Sequence, residues 1–256
     1  LRVVIASAMI LTEILISAVF ILGTIAAVSI SALRGAPGAG LGFSVIAMLV
    51  VALVLRPSLF EQMGLRTVPP MLPTLGGGLV IGVSLSLLGT IVLDPLVERI
   101  AGRPSDLSAF DGIIGNTTML LKLLPVIWLL VAPLEELLFR GFLLTEVPRL
   151  FGLISAGFRE GWMLPAADIG TDAAAAAAGG SLIQRPALMA SSLLLSSLVF
   201  GVAHHYQGPS GMLSTGLIGV VLGMCVVVPG GSIWLAVLVH AVFDTVSLVL
   251  VSVEVE

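Results

Sequence analysis

Long apolar stretches alternate with short polar connectors along the whole chain. Apolar residues fill seven segments, near 3–31, 38–55, 72–93, 113–146, 187–206, 211–229 and 232–253. Each is close to or longer than the roughly 20 residues that a helix needs to cross a bilayer. The pattern therefore predicts an all-α bundle of about seven transmembrane helices, plus or minus one, in a single membrane domain over 1–256.

The polar connectors differ in character. Residues 56–68 and 94–112 mix charges with Leu, Phe and Ile, a pattern typical of interfacial helices. The longest polar stretch, 147–185, contains six consecutive alanines followed by two glycines, which predicts a loop with at most one short helix. The first apolar segment is too long for a signal peptide and lacks a small-residue cleavage site, so we expect a true span.

Composition agrees with a membrane protein and excludes some partners. Hydrophobic residues make up 58% of the chain and charged residues 10%, against roughly 25% charged in an ordinary soluble domain. The mean hydropathy is +1.18. The net charge of −4 comes without a basic cluster, so nucleic acid is not an expected partner. The single cysteine, Cys225, lies in an apolar run and is expected to be a small core residue.

Arginines outside the predicted spans indicate the orientation, since cytoplasmic loops carry the excess of positive charge. With seven spans, six arginines fall on the side of the N-terminus and three on the other side: Arg2, Arg56, Arg66, Arg149, Arg159 and Arg185 against Arg34, Arg99 and Arg103. The N-terminus is therefore predicted to be cytoplasmic. The bias towards Ala, Gly, Val and Arg favours a bacterial plasma membrane.

Few ionisable residues fall inside the predicted spans, and these carry the chemistry. They are Glu13, Lys122, Glu135, Glu136, Arg140, His204, His205, His240 and Asp244. A charge at the centre of a membrane helix costs about 2.5–3.5 kcal/mol on insertion scales, so such residues indicate a functional site. We expect Glu13 and Lys122 to snorkel or to contact other helices, and His205 to be structural or to line a cavity.

Three ionisable residues stand together in the run VAPLEELLFRGFLL, residues 131–144. Glu136 and Arg140 are four residues apart, so they share a helix face and can form an ion pair. Glu135 is turned about 100° away and points elsewhere. Pro133 removes a backbone hydrogen bond and is expected to open the helix locally.

Two later spans each present one polar edge. Phe200 and His204 are four residues apart in FGVAHH, and His240 and Asp244 are four apart in HAVFD. If these edges face the polar edge of 131–144, the three helices share one polar cavity and its desolvation cost. Phe200 would then shape the site by packing.

Carboxyl and imidazole groups in one apolar cavity are suited to hydrolysis by an activated water. Glu135 is the candidate general base. His204 would share the water or protonate the leaving amine. His240 and Asp244 would stabilise the oxyanion of a tetrahedral intermediate, with Asp244 either donating as a protonated carboxyl or orienting His240.

The three motifs EExxxR, FxxxH and HxxxD, in this order, resemble those of the CPBP family of intramembrane proteases, also called the ABI or CAAX prenyl endopeptidase type II family. The resemblance covers 113–253, the expected catalytic core, and leaves 1–112 as spans of unassigned role. It implies a metal-free glutamate protease in the lipid bilayer, with Glu135 activating water and a membrane-associated peptide or protein as substrate. Family members often have Asn where Asp244 stands.

Three alternatives remain open at the level of sequence. Glu135, His204, His240 and Asp244 are also acceptable zinc ligands by type. GPSG at 208–211 would allow a rhomboid-like dyad of Ser210 and His240. A catalytically silent immunity or scaffold protein, or one that binds a small solute, would have the same fold.

Overall fold

A computed structural model describes residues 2–35, 37–54, 63–65, 69–159, 186–228 and 232–253. These residues form helices and short turns, and no strand occurs among them. In chain order we label the helices α1 (Arg2–Leu33), α2 (Pro37–Val54), α3 (Met71–Ala101), α4 (Thr117–Val126 through Leu144–Arg159), α5 (Pro186–Ala203), α6 (Gly208–Val227) and α7 (Trp234–Val253).

The helices have the length and surface of membrane spans. Five helical segments in the described part of the chain are long and apolar enough to cross a bilayer, and Ala187–Ala203 is a shorter apolar helix. Large apolar side chains such as Leu79, Leu129 and Val228 are more than half exposed, far beyond what a soluble monomer presents. The predicted all-α membrane bundle is confirmed.

Helices α3 and α4 widen at defined places. Five-residue π-helical turns occupy Gly89–Leu93 in α3 and Ile127–Val131 in α4. Pro95 follows the first turn and Pro133 the second. Because a proline ring lacks an N–H and clashes with the carbonyl four residues earlier, the backbone opens at that carbonyl, which lies inside the π turn in both cases. The local opening expected at Pro133 is present.

Small residues bring the helices that frame the site close together. Helix α7 packs along α3, where a Cβ atom added to Gly82 would lie 2.7 Å from the Cβ of Val242. Helices α5 and α6 pack side by side, where a Cβ on Gly201 would lie 2.5 Å from the carbonyl oxygen of Met212. Glycine therefore permits both approaches, as is common between membrane helices.

The connectors differ in part from their prediction. The loop expected at 147–185 is wrong for its first residues, because α4 continues as a helix to Arg159, and residues 160–185 lie outside the described residues. In 94–112, Asp94–Ala101 is the last part of α3, and a 3₁₀ turn follows at Ser108–Ile113. Of 56–68, only 63–65 are described.

A buried polar cluster joins α1 to α4 and corrects one expectation. Arg149 donates to Glu13 at 2.6 Å and to the hydroxyl of Ser17 at 3.1 Å, and it lies 3.5 Å from Glu146. Ser17 in turn donates to Glu146 at 3.0 Å. Arg149 is thus a buried helix residue inside a candidate span and not a loop charge, which leaves five of the six arginines counted for the N-terminal side. Glu13 contacts another helix, one of its two expected roles.

Candidate functional site

The two adjacent glutamates lie on a short regular stretch of α4, Ala132–Glu136, between two π-helical turns. The second turn, Leu137–Leu143, is seven residues long and contains Arg140. Each π turn rotates the following side chains relative to a regular helix, and such turns are frequent at functional sites. The widened backbone therefore sets the directions of both carboxylates and of the guanidinium.

The guanidinium of Arg140 is the buried anchor of the site, with a side-chain exposure of 1%. It donates to Oε1 of Glu136 at 2.8 Å and to the carbonyl of Gly219 on α6 at 3.2 Å. It also lies 4.1 Å from the ring centroid of Phe200, a cation–π contact. The predicted intrahelical pair of Glu136 and Arg140 is confirmed. Gly219 of α6 and Phe200 of α5 also contact the guanidinium.

His240 of α7 is held by the same glutamate. Its Nδ1 donates to Oε1 of Glu136 at 2.8 Å, so this one oxygen accepts from both Arg140 and His240. An imidazole that donates from Nδ1 has its ring orientation fixed and presents Nε2 on the other side. The sequence predicted only Asp244 as an orienting group for His240, whereas Glu136 occupies that position.

Nε2 of His240 faces the open side of the cluster, towards two carboxyl groups. It lies 3.8 Å from Oε2 of Glu135 and 3.5 Å from Oδ2 of Asp244. Their side chains are 14% and 25% exposed, whereas that of Glu136 is 0% exposed. Oε2 of Glu135 is buried and accepts no hydrogen bond from any described residue. Glu135 and Asp244 therefore border the accessible part of the site.

His204 stands just beyond the end of α5, beside the ring of Phe200. Its Nδ1 donates to the carbonyl of Phe200 at 2.9 Å, since a carbonyl can only accept. This tautomer leaves Nε2 of His204 as an acceptor when the ring is neutral. The ring of Phe200 lies 4.8 Å from that of His204 and 5.8 Å from that of His240, so it separates and positions the two imidazoles.

The structure thus brings together Glu135, Glu136, Arg140, Phe200, His204, His240 and Asp244 from α4, the end of α5 and α7. Three other residues lie elsewhere. Ser210 donates to the carbonyl of Arg103, and both nitrogens of His240 face carboxyl groups, which argues against the Ser210 and His240 dyad. The side chains of His205 and Lys122 are exposed.

Tyr206 belongs to the site and was missed at the level of sequence. Its ring lies 5.8 Å from the ring of His204, with 34° between the two planes. Two signals were available in the sequence: it is the single tyrosine, and it follows His204 by two residues. Neither signal reveals contact, because the chain leaves α5 at His204 and turns there.

The hydrogen bonds of the two histidines limit which of their nitrogen atoms can bind a metal. Nδ1 of His204 and Nδ1 of His240 are both engaged in hydrogen bonds, so only the two Nε2 atoms are available as nitrogen ligands. In the part of the chain that the structure describes, no group of three His, Cys, Asp or Glu side chains has metal-ligand spacing.

The fold and the site together define a multi-pass helical membrane protein with carboxyl and imidazole groups gathered within the bundle. Groups of these types are suited to hydrolysis by an activated water. The family described as type II CAAX prenyl endopeptidase, Rce1-like, matches residues 117–246, just over half of the chain, and the chain belongs to this family. All seven residues of the three motifs lie inside the match. No curated protein and no solved structure matches the chain significantly.

Family membership confirms the resemblance drawn from the motifs. The family is a protease family, so the chain is an enzyme of the CAAX protease type in general, embedded in a membrane. A membrane-embedded peptide or protein fits such an enzyme as its substrate.

Proposed function

We propose that the chain is an intramembrane endopeptidase that cleaves a peptide bond of a membrane-associated protein or peptide with water activated by Glu135. One observation carries the proposal: the side chain of Glu135 is 14% exposed, against 0% for Glu136, and its Oε2 lies 3.8 Å from Nε2 of His240 and accepts no hydrogen bond from a described residue. An unused acceptor at this place can take a proton from water.

The neighbouring glutamate has a different role in this proposal. Oε1 of Glu136 already accepts from Arg140 and from His240, and its side chain is 0% exposed. A carboxylate that is held in this way has no access to a water in the cavity. Glu136 therefore positions His240, while Arg140 compensates its charge.

In the proposed reaction, Glu135 carries a proton from the attacking water to the leaving amine. Glu135 takes a proton from water as the water oxygen attacks the carbonyl carbon, and the carbonyl oxygen becomes an oxyanion. When the tetrahedral intermediate collapses, the C–N bond breaks and the proton passes to the leaving amine, directly or through His204. A carboxylic acid and an amine result, which exchange a proton to become a carboxylate and an ammonium group near neutral pH, and Glu135 returns to its ionised form.

The remaining side chains position the water and the oxyanion. His204 presents Nε2 as an acceptor, so in its neutral form it shares the water with Glu135. A protonated Asp244 donates to the oxyanion beside His240, the role that an Asn amide would fill in family members that carry it. No metal is required for this sequence of steps.

We further infer that the N-terminus is cytoplasmic in a bacterial plasma membrane. The excess of arginines on the N-terminal side supports this orientation, and it remains five against two when Arg149 and Arg99, which both lie in candidate spans, are left out.

Glu135→Gln tests the proposal most directly. The amide keeps the shape of the side chain and loses its basicity, so we expect a fall in kcat of about 10²-fold or more, with the protein still folded. Cleavage would be measured in lipid–detergent micelles with two quenched-fluorescence peptides, a farnesylated CAAX peptide and an unprenylated transmembrane peptide. Glu98→Gln, the same change on α3, is the control and should leave cleavage unchanged.

Two outcomes would count against the proposed function. Full cleavage by a folded Glu135→Gln protein would remove Glu135 as the base. Equal inactivity of wild type and Glu135→Gln on both peptides would favour the catalytically silent scaffold. Cleavage of one peptide only would also reveal whether the prenyl group is recognised.

A further inference from the structure

The phenol of Tyr206 lies at the edge of the site and is held there from two sides. Its ring is 5.8 Å from the ring of His204, with an angle of 34° between the planes, and 6.5 Å from the ring of Phe110 in the 3₁₀ turn. The side chain is partly exposed, like that of His204. The ring packing thus places Tyr206 beside His204, the residue proposed to share the reacting water.

A short chain of hydrogen bonds orients the hydroxyl of Tyr206. Thr215 of α6 donates to Oε1 of Gln207 at 3.3 Å, which directs the amide nitrogen of Gln207 towards the phenol. That nitrogen, Nε2, donates to the oxygen of Tyr206 at 3.1 Å. The phenol oxygen is therefore used as an acceptor, and its own proton finds no acceptor among the described residues.

The site is otherwise poor in donors on its open side. The Nδ1 proton of His204 is donated to Phe200, that of His240 to Glu136, and the guanidinium of Arg140 serves Glu136 and Gly219. The donors left on that side are a protonated Asp244 and, when its imidazole is protonated, Nε2 of His240, which lies 3.8 Å from Glu135 and 3.5 Å from Asp244. An oxyanion has lone pairs for more than one donor and is stabilised best by groups held in place before reaction.

We propose that Tyr206 is a further catalytic residue, whose hydroxyl donates a hydrogen bond to the oxyanion of the tetrahedral intermediate while Gln207 and Thr215 keep it oriented. This inference rests on the proposed function, because it assigns a further oxyanion donor to the same reaction. The phenol keeps its proton throughout, so the balance of the reaction is unchanged.

Tyr206→Phe is the decisive variant, since it removes the hydroxyl and keeps the ring against His204 and Phe110. We expect kcat on the peptide that wild type cleaves to fall about 10²-fold, with KM almost unchanged, because the hydrogen bond forms mainly in the transition state. His205→Ala, an exposed neighbour in the same turn, is the control and should keep the wild-type kcat. A wild-type kcat for Tyr206→Phe, or a rise in KM alone, would overturn the proposal.

A second pair of variants separates the hydroxyl from the ring. Tyr206→Leu removes both, and a loss equal to that of Tyr206→Phe would assign the effect to the hydroxyl. Loss in Tyr206→Leu alone would make the residue a packing element and refute the donor role. Gln207→Leu should lower kcat in wild type and have no further effect in Tyr206→Phe, and equal losses in both backgrounds would refute the orienting chain.

A binding measurement adds a readout that is independent of turnover. Tyr206 is the single tyrosine, so incorporation of 3-fluorotyrosine gives one ¹⁹F NMR signal for the whole chain. A peptide aldehyde, whose hydrate resembles the tetrahedral intermediate, should shift this signal, and a bound aldehyde without a shift would overturn the proposal.

If Glu135→Gln stays active, the proposed function fails; if Glu135→Gln is inactive and Tyr206→Phe is fully active, only the role of Tyr206 fails.

Discussion

Single side chains at the site are distinguished by the hydrogen bonds that they have already formed. Glu135 and Glu136 are adjacent in sequence and identical in chemistry, yet Oε1 of Glu136 accepts from both Arg140 and His240 in a side chain that is 0% exposed, while the side chain of Glu135 is 14% exposed. Asp244 is close to Nε2 of His240 at 3.5 Å. These differences assign the roles of base, positioning group and oxyanion donor in the proposed mechanism.

Asp244→Asn tests the donor role of Asp244. Because Glu136 already orients His240, the amide should not disturb the tautomer of His240, and an amide donates at every pH. We expect cleavage within about threefold of wild type near neutral pH, extended to higher pH, where an ionised carboxyl can no longer donate. A pH profile of kcat for both proteins is the measurement. A large loss over the whole range would instead indicate that Asp244 orients His240.

At the scale of the elements, irregular helix geometry and long-range polar contacts support the site. The π turn Ile127–Val131 and the longer one at Leu137–Leu143 flank the two glutamates. Further along the same helix, Arg149 ties α4 to α1 through Glu13 and Ser17. The helix that carries the glutamates is therefore anchored at its C-terminal part by a buried ionic cluster.

Arg149→Met tests how much this buried ionic cluster stabilises the protein. Removing the buried guanidinium leaves the carboxylates of Glu13 and Glu146 with less compensation, which costs about 3 kcal/mol for a buried ion pair. We expect the Tm of the protein in detergent to fall by about 5 °C or more. Lys122→Met, an exposed cation on the same helix, should leave Tm unchanged. Adding Glu146→Gln to Arg149→Met should restore part of the loss, and an unchanged Tm for Arg149→Met would contradict the anchor.

At the scale of the whole molecule, a bundle of membrane helices encloses ionisable groups that no single helix could tolerate alone. Helices α4, α5 and α7 supply the cluster, and on α6 the carbonyl of Gly219 accepts from Arg140. A Cβ atom at Gly219 would lie 3.2 Å from the guanidinium of Arg140, so glycine permits this close contact. Sharing one cavity reduces the cost of burying each charge. The residues 1–112 enter this architecture through α1, α2 and α3, which pack on the helices of the family match.

The metal content of the purified protein is a prediction for the whole molecule. Under the glutamate mechanism we expect less than stoichiometric zinc by elemental analysis, and cleavage that phenanthroline leaves unchanged. Loss of cleavage that zinc alone restores would make the protein a metalloprotease, with His204 and His240 among the ligands. The non-chelating isomer of phenanthroline serves as the control.

The sequence by itself determined the class of fold and the local pairs. Unbroken apolar segments of about 20 residues predict membrane-spanning helices, because a helix hydrogen-bonds the backbone groups within its own segment. Spacings of four residues then predicted the contacts of Glu136 with Arg140, Phe200 with His204, and His240 with Asp244, all of which are present.

Only the tertiary structure decided which of these edges meet and what each atom does. Helix periodicity fixes the face on which a side chain lies, but not the neighbouring helix that this face contacts. The bond from His240 to Glu136 spans 104 residues of sequence and that from Arg149 to Glu13 spans 136. Tyr206 reaches His204 only because the chain turns where α5 ends. Packing between helices depends on where small residues permit close approach, so these contacts follow from the assembled bundle and not from any one segment.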